Sequence, residues 1–530
     1  MTDKRPVVLD TRGTAWIDAR GGFGVSDKQR KVGSVTYQDV GDDYFEQRGL
    51  KRHAGVWSLL ALGVAAVISG DFFGWNLGLL SGGFGGLAIA TVIITIMYIG
   101  LCYSISEMSP ALPHTGGAYS FGRSAMGPWG GFITGLAENM EYVVTTAVVV
   151  VAIGFYMNAI FIELFNWDIP LQVWWLVGYA IFIGINIRGI EATMRFTVVI
   201  CILSMLVLLF FFIAALTDFS VSHLTNIPPE AGNSKWLPFG ASGIFKNLPF
   251  AIWFFLAIEE LPLAAEEAHD PKRDIPKATM WGLGVLIFFG VGTLILNTGV
   301  SSGAAGIGDT GEPLFQGFID IFGSGTGAAL LALAAVIGLV ASFHTIIFAA
   351  GRNIFSLSRA GYFPKWLSRT HGTRKTPYVA LLVTGVVGYG LAWWINESAG
   401  TNVGAALLTM AVFGAVISYF MQMLSFILLR RKMPDIERPY RSPVGVAGAA
   451  VAGIIALVAL VSLYLDPTYR PGVVGTAIWF LLGIVYFAIA GRHRLVLSPE
   501  EEFALTAGEH GDTQKEDVGA MHVSEMKDGS

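Results

Sequence analysis

Charge is scarce in this chain. Only 14% of its 530 residues are charged, against about 25% in ordinary soluble domains. A string of soluble domains would also lack what recurs here: apolar runs that approach or exceed the ~20 residues needed to cross a bilayer. Cysteine is scarcer still. Cys102 and Cys201 both lie in apolar segments, so neither a disulfide framework nor a metal cluster is expected. No nucleophile–base pair, metal spacing or phosphate loop is present, which leaves no reason to expect an enzyme or a cofactor. The basic residues are scattered over short loops without a nucleic-acid motif. Residues 1–54 are polar and mixed in charge, so no cleavable signal peptide is expected. The chain is instead 53% hydrophobic, with 65 glycines and 12% aromatics. That composition reads as an all-α polytopic membrane protein.

Twelve spans are expected, at about 56–80, 86–109, 128–161, 171–187, 195–216, 244–265, 279–300, 326–357, 378–396, 403–429, 443–465 and 473–491. Span 3 is longer than a perpendicular crossing requires, so it tilts or extends past the bilayer. The Gly82-Gly83-Phe84-Gly85-Gly86 turn joins spans 1 and 2. It is no dinucleotide fingerprint, because it links two spans rather than a strand to a helix. With both tails on one side, that side receives nearly all loop Lys and Arg, from Lys51 and Arg52 through Lys272, Arg359 and Arg430 to Arg494. The opposite loops receive Lys235 and Arg470, with Lys246 at a boundary. Positive charge stays inside, so both termini are expected in the cytoplasm of a cell (inner or plasma) membrane protein. An eleven-span count would break this segregation. The tail after Leu497 is acidic and low in aromatics, which suggests disorder.

The stretch Ser69-Gly70-Asp71-Phe72-Phe73-Gly74-Trp75-Asn76 interrupts span 1. A glycine weakens a helix by about 1 kcal/mol relative to alanine, and a carboxylate at bilayer depth costs at least ~2.5 kcal/mol on insertion scales. Close helix packing accounts for Gly70, Gly74 and Gly78 but not for Asp71 or Asn76. An ionisable group inside a membrane marks a functional site by default. Span 6 carries a second interruption, Glu259-Glu260-Leu261-Pro262, preceded by Trp253-Phe254-Phe255-Leu256-Ala257-Ile258. Proline removes a backbone donor and disrupts the helix ahead of it. Backbone groups freed at this depth must be buried in protein or line a cavity. Two breaks five spans apart are the signature of an inverted-repeat transporter. Spans 1–5 (55–216) then form one repeat and spans 6–10 (217–429, with the preceding outer loop) the other; spans 11–12 (430–495) and the tails 1–54 and 496–530 lie outside them.

Several motifs in order resemble the amino acid–polyamine–organocation transporters over nearly all of residues 50–495. They are Glu107-x5-Pro113-x2-Gly116-Gly117-x-Tyr119, Gly131-Phe132 with Glu141-Tyr142, Asp270-Pro271-Lys272-Arg273-Asp274-Ile275-Pro276, and Arg352-x6-Arg359-x-Gly361-x2-Pro364. Within that superfamily, the stretches 68–76 and 135–142 resemble ethanolamine permeases. The resemblance implies a LeuT-type 5+5 inverted-repeat bundle of about twelve helices, with helices 1 and 6 broken. It also places Glu259 where related exchangers carry an acidic gating residue. In the amino-acid carriers a small Gly/Ser-rich turn of span 1 cradles the substrate carboxylate with its N–H groups. Here Gly74-Trp75-Asn76 put bulk there, with Asp71 nearby. A negative site suits an ammonium substrate without a carboxylate, such as protonated ethanolamine, and also admits choline and small diamines.

The candidate substrate-binding set is Ser69, Gly70, Asp71, Gly74, Trp75, Asn76, Glu141, Trp253, Phe254, Ala257 and Glu259. Asp71 is the candidate ammonium counter-ion; the alternative is a structural partner for a nearby donor. Trp253 and Trp75 are candidates for cation–π closure, worth roughly 0.5–2 kcal/mol, or ordinary packing residues. Glu138 and Glu141 share one face of span 3. Glu260 is adjacent to Glu259 and must point elsewhere. Gating or coupling candidates are Glu107, Arg123, Glu138, Glu260 and His344; a lone His in a span is more often a helix–helix hydrogen-bonder. Some superfamily members use a span 5 lysine in place of sodium; Cys201 stands in that neighbourhood here, and Ser342 with Thr345 make a weak sodium site. The expected function is alternating-access import of a small organic amine, ethanolamine first, with a possible coupled proton. A broader choline, polyamine or amino-acid permease or exchanger is the near alternative, and a nutrient sensor on the same fold the distant one. Oligomeric state is not legible.

Overall fold

A computed structural model describes residues 30–506, apart from 39, 41, 42, 113, 115, 399–402 and 466–468. Expectations for residues 1–29 and 507–530, and for Pro113 of the motif after span 2, lie outside the described residues.

Span 1 is a helix at Val56–Val67, a further helical turn at Ser69–Phe72, and a non-helical link at 73–76. The chain becomes helical again at Leu77–Ala111, which bends at Gly83 (φ 73°). The second half of span 1 therefore runs into span 2 through the expected glycine turn. Span 3 is the helix Ala118–Phe165, bent at Gly127 (φ 79°) ahead of Pro128. Its extra length is a helical stub at 118–126, on the side of both tails. Spans 4 and 5 are Leu171–Arg188 and Ile190–Ala215, parted by Gly189 at φ 132°. Span 5 starts earlier than expected because one glycine makes the whole turn.

Span 6 is the helix Gly240–Ile252, a non-helical stretch at 253–257, and a 3-10 helix at Ile258–Glu267. The break precedes the two carboxylates and Pro262 rather than coinciding with them. Spans 7 to 12 are Pro271–Thr298, Thr326–Arg359, Tyr378–Ser398, Val403–Lys432, Gly445–Leu465 and Arg470–Ile489. Among the described residues nine helices are long and apolar enough to cross a membrane, and shorter apolar helices are Val56–Phe72 in span 1, Pro313–Phe322 between spans 7 and 8, and Tyr378–Trp394 in span 9. The protein is an integral membrane protein with the LeuT-type bundle, broken at helices 1 and 6.

Burial follows the bundle. Span 12 presents Leu481, Leu482 and Ile489 outward, while span 8 is buried over most of Ala341–Arg359. Spans 1, 3, 6 and 8 meet at the centre, where buried polar and charged side chains collect.

The C-terminal tail is helical as far as Thr506, against the disorder expected after Leu497, and it packs with a described part of the N-terminal tail. Arg30–Val32 and Val35–Gln38 form a hairpin, and Tyr37 and Gln38 pair in parallel with Leu495 and Val496. The helix Pro499–Thr506 follows. Composition alone marked these segments as polar; their order comes from partners distant in sequence.

Candidate functional site

The two breaks lie against each other. A methyl group on Gly70 would collide with the carbonyl oxygen of Trp253, so only glycine lets the span 1 turn approach the span 6 backbone. Phe73 is extended and Gly74 takes φ +97°, which carries the chain out of the helix. Ala257 takes φ +84° at the other break. A non-glycine residue held there costs roughly 1–3 kcal/mol, and such strain collects at functional sites. Trp75 packs on Phe254 with ring centroids 5.7 Å apart, so the breaks share an aromatic wall as well as a backbone contact. Gly70→Ala is expected to cost about 1–3 kcal/mol through overpacking and to remove substrate binding. A thermal melt and a binding assay on the same preparation check both.

Asp71 is buried at 1% exposure and its Oδ1 has no hydrogen-bond partner. No Lys or Arg among the described residues forms an ion pair with it. Its neighbours are occupied. Ser69 Oγ donates to Ser342 Oγ at 2.8 Å, and Ser342 Oγ donates to the Ala66 carbonyl, tying span 1 to span 8. Tyr156 Oη donates to the Phe72 carbonyl at 2.9 Å. Asn76 Nδ2 donates to the Ile307 and Thr310 carbonyls, both at 2.8 Å, and Asn76 Oδ1 accepts from Gly74 N–H at 3.2 Å. Asn76 thus braces the second half of span 1 against the segment before span 8.

A second acidic group faces the span 6 break. Glu141 and Glu259 lie within hydrogen-bonding reach of each other. Glu141 Oε1 accepts from Tyr419 Oη at 3.2 Å, and Tyr98 Oη donates to Tyr419 Oη at 2.9 Å. Glu141 Oε2 is buried without a donor. The Glu259 carboxylate, equally buried, has as nearby donors among the described residues only Tyr419 Oη and the Ala257 and Glu259 backbone N–H groups, none in good hydrogen-bond geometry. Two carboxylates about 4 Å apart repel by on the order of 4 kcal/mol at protein-like screening. A cation or a proton between them removes that cost. Spans 2, 3, 6 and 10 therefore present a site that accepts positive charge.

The remaining candidates fall elsewhere. Glu138 accepts from Tyr142 Oη at 3.2 Å and Asn353 Nδ2 at 3.1 Å, joining span 3 to span 8. Glu260 is buried, and both of its carboxylate oxygens also lack a hydrogen-bond partner. His344 Nδ1 lies 3.1 Å from Asn186 Nδ2, and its ring packs on Phe196, between spans 4, 5 and 8. Trp253 is buried at the break. Glu107 and Arg123 do not pair. Glu107 holds Arg430 through two bonds of 2.9 and 2.6 Å, whereas Arg123 Nε donates to Glu501 at 2.6 Å. Sequence reasoning passed over Tyr98 and Tyr419. Each is a tyrosine in an apolar span, the one signal that marked it.

Among the described residues no cluster of three His, Cys, Asp or Glu is placed to hold a metal.

Residues 55–489 match the family described as amino acid permease. The chain belongs to this family. Its members are transporters, so this permease is a transporter of a small molecule across a membrane and not an enzyme. It is similar to the methylthioribose transporter of Bacillus subtilis, 24% identical over 471 residues, which is 85% of this chain and 96% of that one. It is also similar to a branched-chain amino acid permease of the same species, 26% identical over 467 residues, 84% and 95% of the two chains. The D-serine/D-alanine/glycine transporter of Escherichia coli is 25% identical over 386 residues, 70% and 80% of the two chains.

Proposed function

We propose that this permease imports a small organic amine, ethanolamine first among them, by alternating access, with both tails in the cytoplasm of the cell membrane. The observation that carries the reading is buried acid without a cation at both helix breaks. Asp71 at the span 1 break and the Glu141–Glu259 pair at the span 6 break are each buried without a paired Lys or Arg among the described residues. Burying an unpaired charge is costly, and an ammonium substrate supplies the missing partner. Relatives at 24–26% identity are named for substrates as different as methylthioribose and branched-chain amino acids. Family membership therefore leaves the substrate to the site, and this site has bulk at Trp75 where a carboxylate would rest.

The Glu141–Glu259 pair also supports a coupled proton. A proton between the two carboxyls in the empty site has the same electrostatic effect as the ammonium of a bound amine. Exchange of one for the other couples uptake to proton movement.

The test is uptake of labelled ethanolamine into proteoliposomes holding only this protein, with choline, putrescine, alanine and arginine as competitors. Saturable uptake blocked by the amines and not by alanine is the expected result. Uptake blocked best by alanine or arginine would mean that span 1 accommodates a carboxylate, and would overturn the reading.

A further inference from the structure

The end of the bundle that carries both tails is closed twice. The inner closure belongs to the spans. Arg352 Nε and Nη2 donate to Glu267 at 3.1 and 2.7 Å, and Arg359 donates to Glu266 at 3.0 and 2.6 Å. Both pairs join the end of span 8 to the 3-10 helix after the span 6 break. The outer closure lies over this one and is built from the two tails.

Glu501 of the helix Pro499–Thr506 is fully buried and collects four donors. Tyr37 Oη and Arg123 Nε each lie at 2.6 Å, Tyr362 Oη at 2.7 Å and Tyr119 Oη at 3.4 Å. Glu500 pairs with Arg359, the guanidinium that also holds Glu266. A buried carboxylate is tolerated only while its partners stay in place. Tyr37 remains a donor, because burial and the Glu501 carboxylate push its hydroxyl above the usual range. The C-terminal strand is seated on the turn after span 8. Val496 N–H donates to the Ala360 carbonyl at 2.9 Å, and any side chain at Gly361 would run into the Arg494 carbonyl.

The N-terminal tail continues this contact to span 1. Lys365 Nζ donates to Gln38 Oε1 at 2.7 Å, Tyr44 Oη to the Arg359 carbonyl at 2.9 Å, and Arg48 Nε to Ser368 Oγ at 2.8 Å. Residues 49–52 then lead to His53 and Ala54, whose N–H groups donate to the Glu267 carbonyl at 2.8 and 2.9 Å. This short link runs from an anchor beside span 8 to the start of span 1 and the end of span 6.

We propose that the two tails form a latch that holds the tail-side mouth closed by tethering the start of span 1 and the end of span 6 to spans 3 and 8. Alternating access requires the broken-helix part to rock against the rest. Opening on the tail side parts Glu266 from Arg359 and Glu267 from Arg352. While Glu501 holds Arg123 and Tyr37, the N-terminal hairpin stays on span 3 and span 1 is restrained. Withdrawing Glu501 frees the hairpin and lowers the cost of opening. The latch sets the rate of opening, whatever the substrate.

The chain's own cysteines supply the readout. Cys102 is buried on span 2 close to Glu259, so a reagent reaches it only when the path to the site opens. The measurement is made on full-length Cys201→Ser protein in oriented proteoliposomes, with a small membrane-impermeant methanethiosulfonate on the tail side. Glu501→Gln is expected to raise the labelling rate of Cys102 roughly fivefold or more, the scale set by one lost charge-assisted hydrogen bond. Tyr37→Phe removes one donor and keeps the ion pair; a smaller rise in the same direction is expected. Unchanged or slower labelling in both variants would overturn the proposal. If Glu501→Gln does not yield monodisperse protein, Tyr37→Phe decides by itself, a rise supporting the latch and an unchanged rate rejecting it.

Discussion

Asp71→Asn is expected to abolish amine binding while the protein still folds. Asparagine keeps the shape of the side chain and removes its charge. Losing one partner of a buried, hydrogen-bonded charge pair costs about 2–5 kcal/mol, or roughly 30- to several-thousand-fold in affinity at 1.36 kcal/mol per tenfold. No ion pair of the protein's own is broken, because Asp71 has none among the described residues. The melting temperature of the substrate-free protein is therefore expected to hold or rise while binding by calorimetry disappears. Wild-type affinity in this variant would remove Asp71 from the site and leave the Glu141–Glu259 pair as the only acidic contact. Reduced affinity together with a lower melting temperature would instead indicate a structural role for the carboxylate.

Arg352→Ala has the second large expected effect, and it is on stability and gating rather than affinity. Arg352 is fully buried, its guanidinium lies 3.6 Å from the centroid of the Phe348 ring, and Glu267 accepts two of its hydrogen bonds. Removing it leaves Glu267 buried without its cation, at a cost of about 3–5 kcal/mol. Glu267 sits at the end of the span 6 3-10 helix, so the state with a closed tail-side mouth bears that cost. The thermal unfolding temperature should fall clearly. The double variant Arg352→Ala/Glu267→Ala should recover much of the loss, because the main penalty is the orphaned charge. A double variant no more stable than the single one would place the effect in lost packing against Phe348.

Much of the bundle was legible because its determinants are local. Length and hydropathy of each apolar run mark a span, and the loop charges group the tails on one side. The two breaks were visible for the same reason: glycine, proline and intramembrane carboxylates conflict with a continuous helix at their own positions. Asp71, Gly74 and Glu259 could be singled out one at a time. Their arrangement could not. That Gly70 abuts the Trp253 carbonyl, or that Glu259 faces Glu141 rather than Glu260 doing so, depends on how spans 1, 3 and 6 cross. Crossing geometry is set by side chains far apart in sequence.

Charged residues show the same division. A sequence marks Glu107 and Arg123 as charges near the ends of spans but says nothing of their partners. Packing alone sends Glu107 to Arg430 and Arg123 to Glu501. The tails are the extreme case. Residues 30–38 and 495–506 are polar and short, and neither segment could order itself, since a lone hairpin or an eight-residue helix is marginal in water. They are ordered by burying Glu501 among donors from the N-terminal tail, span 3 and the turn after span 8. The sequence by itself thus determined a polytopic helical membrane protein with two broken spans, because hydrophobic length and helix-breaking chemistry act over a few residues. Only the tertiary structure decided which carboxylates share a site and that the tails close one end of the bundle, because electrostatic pairing and burial act through space.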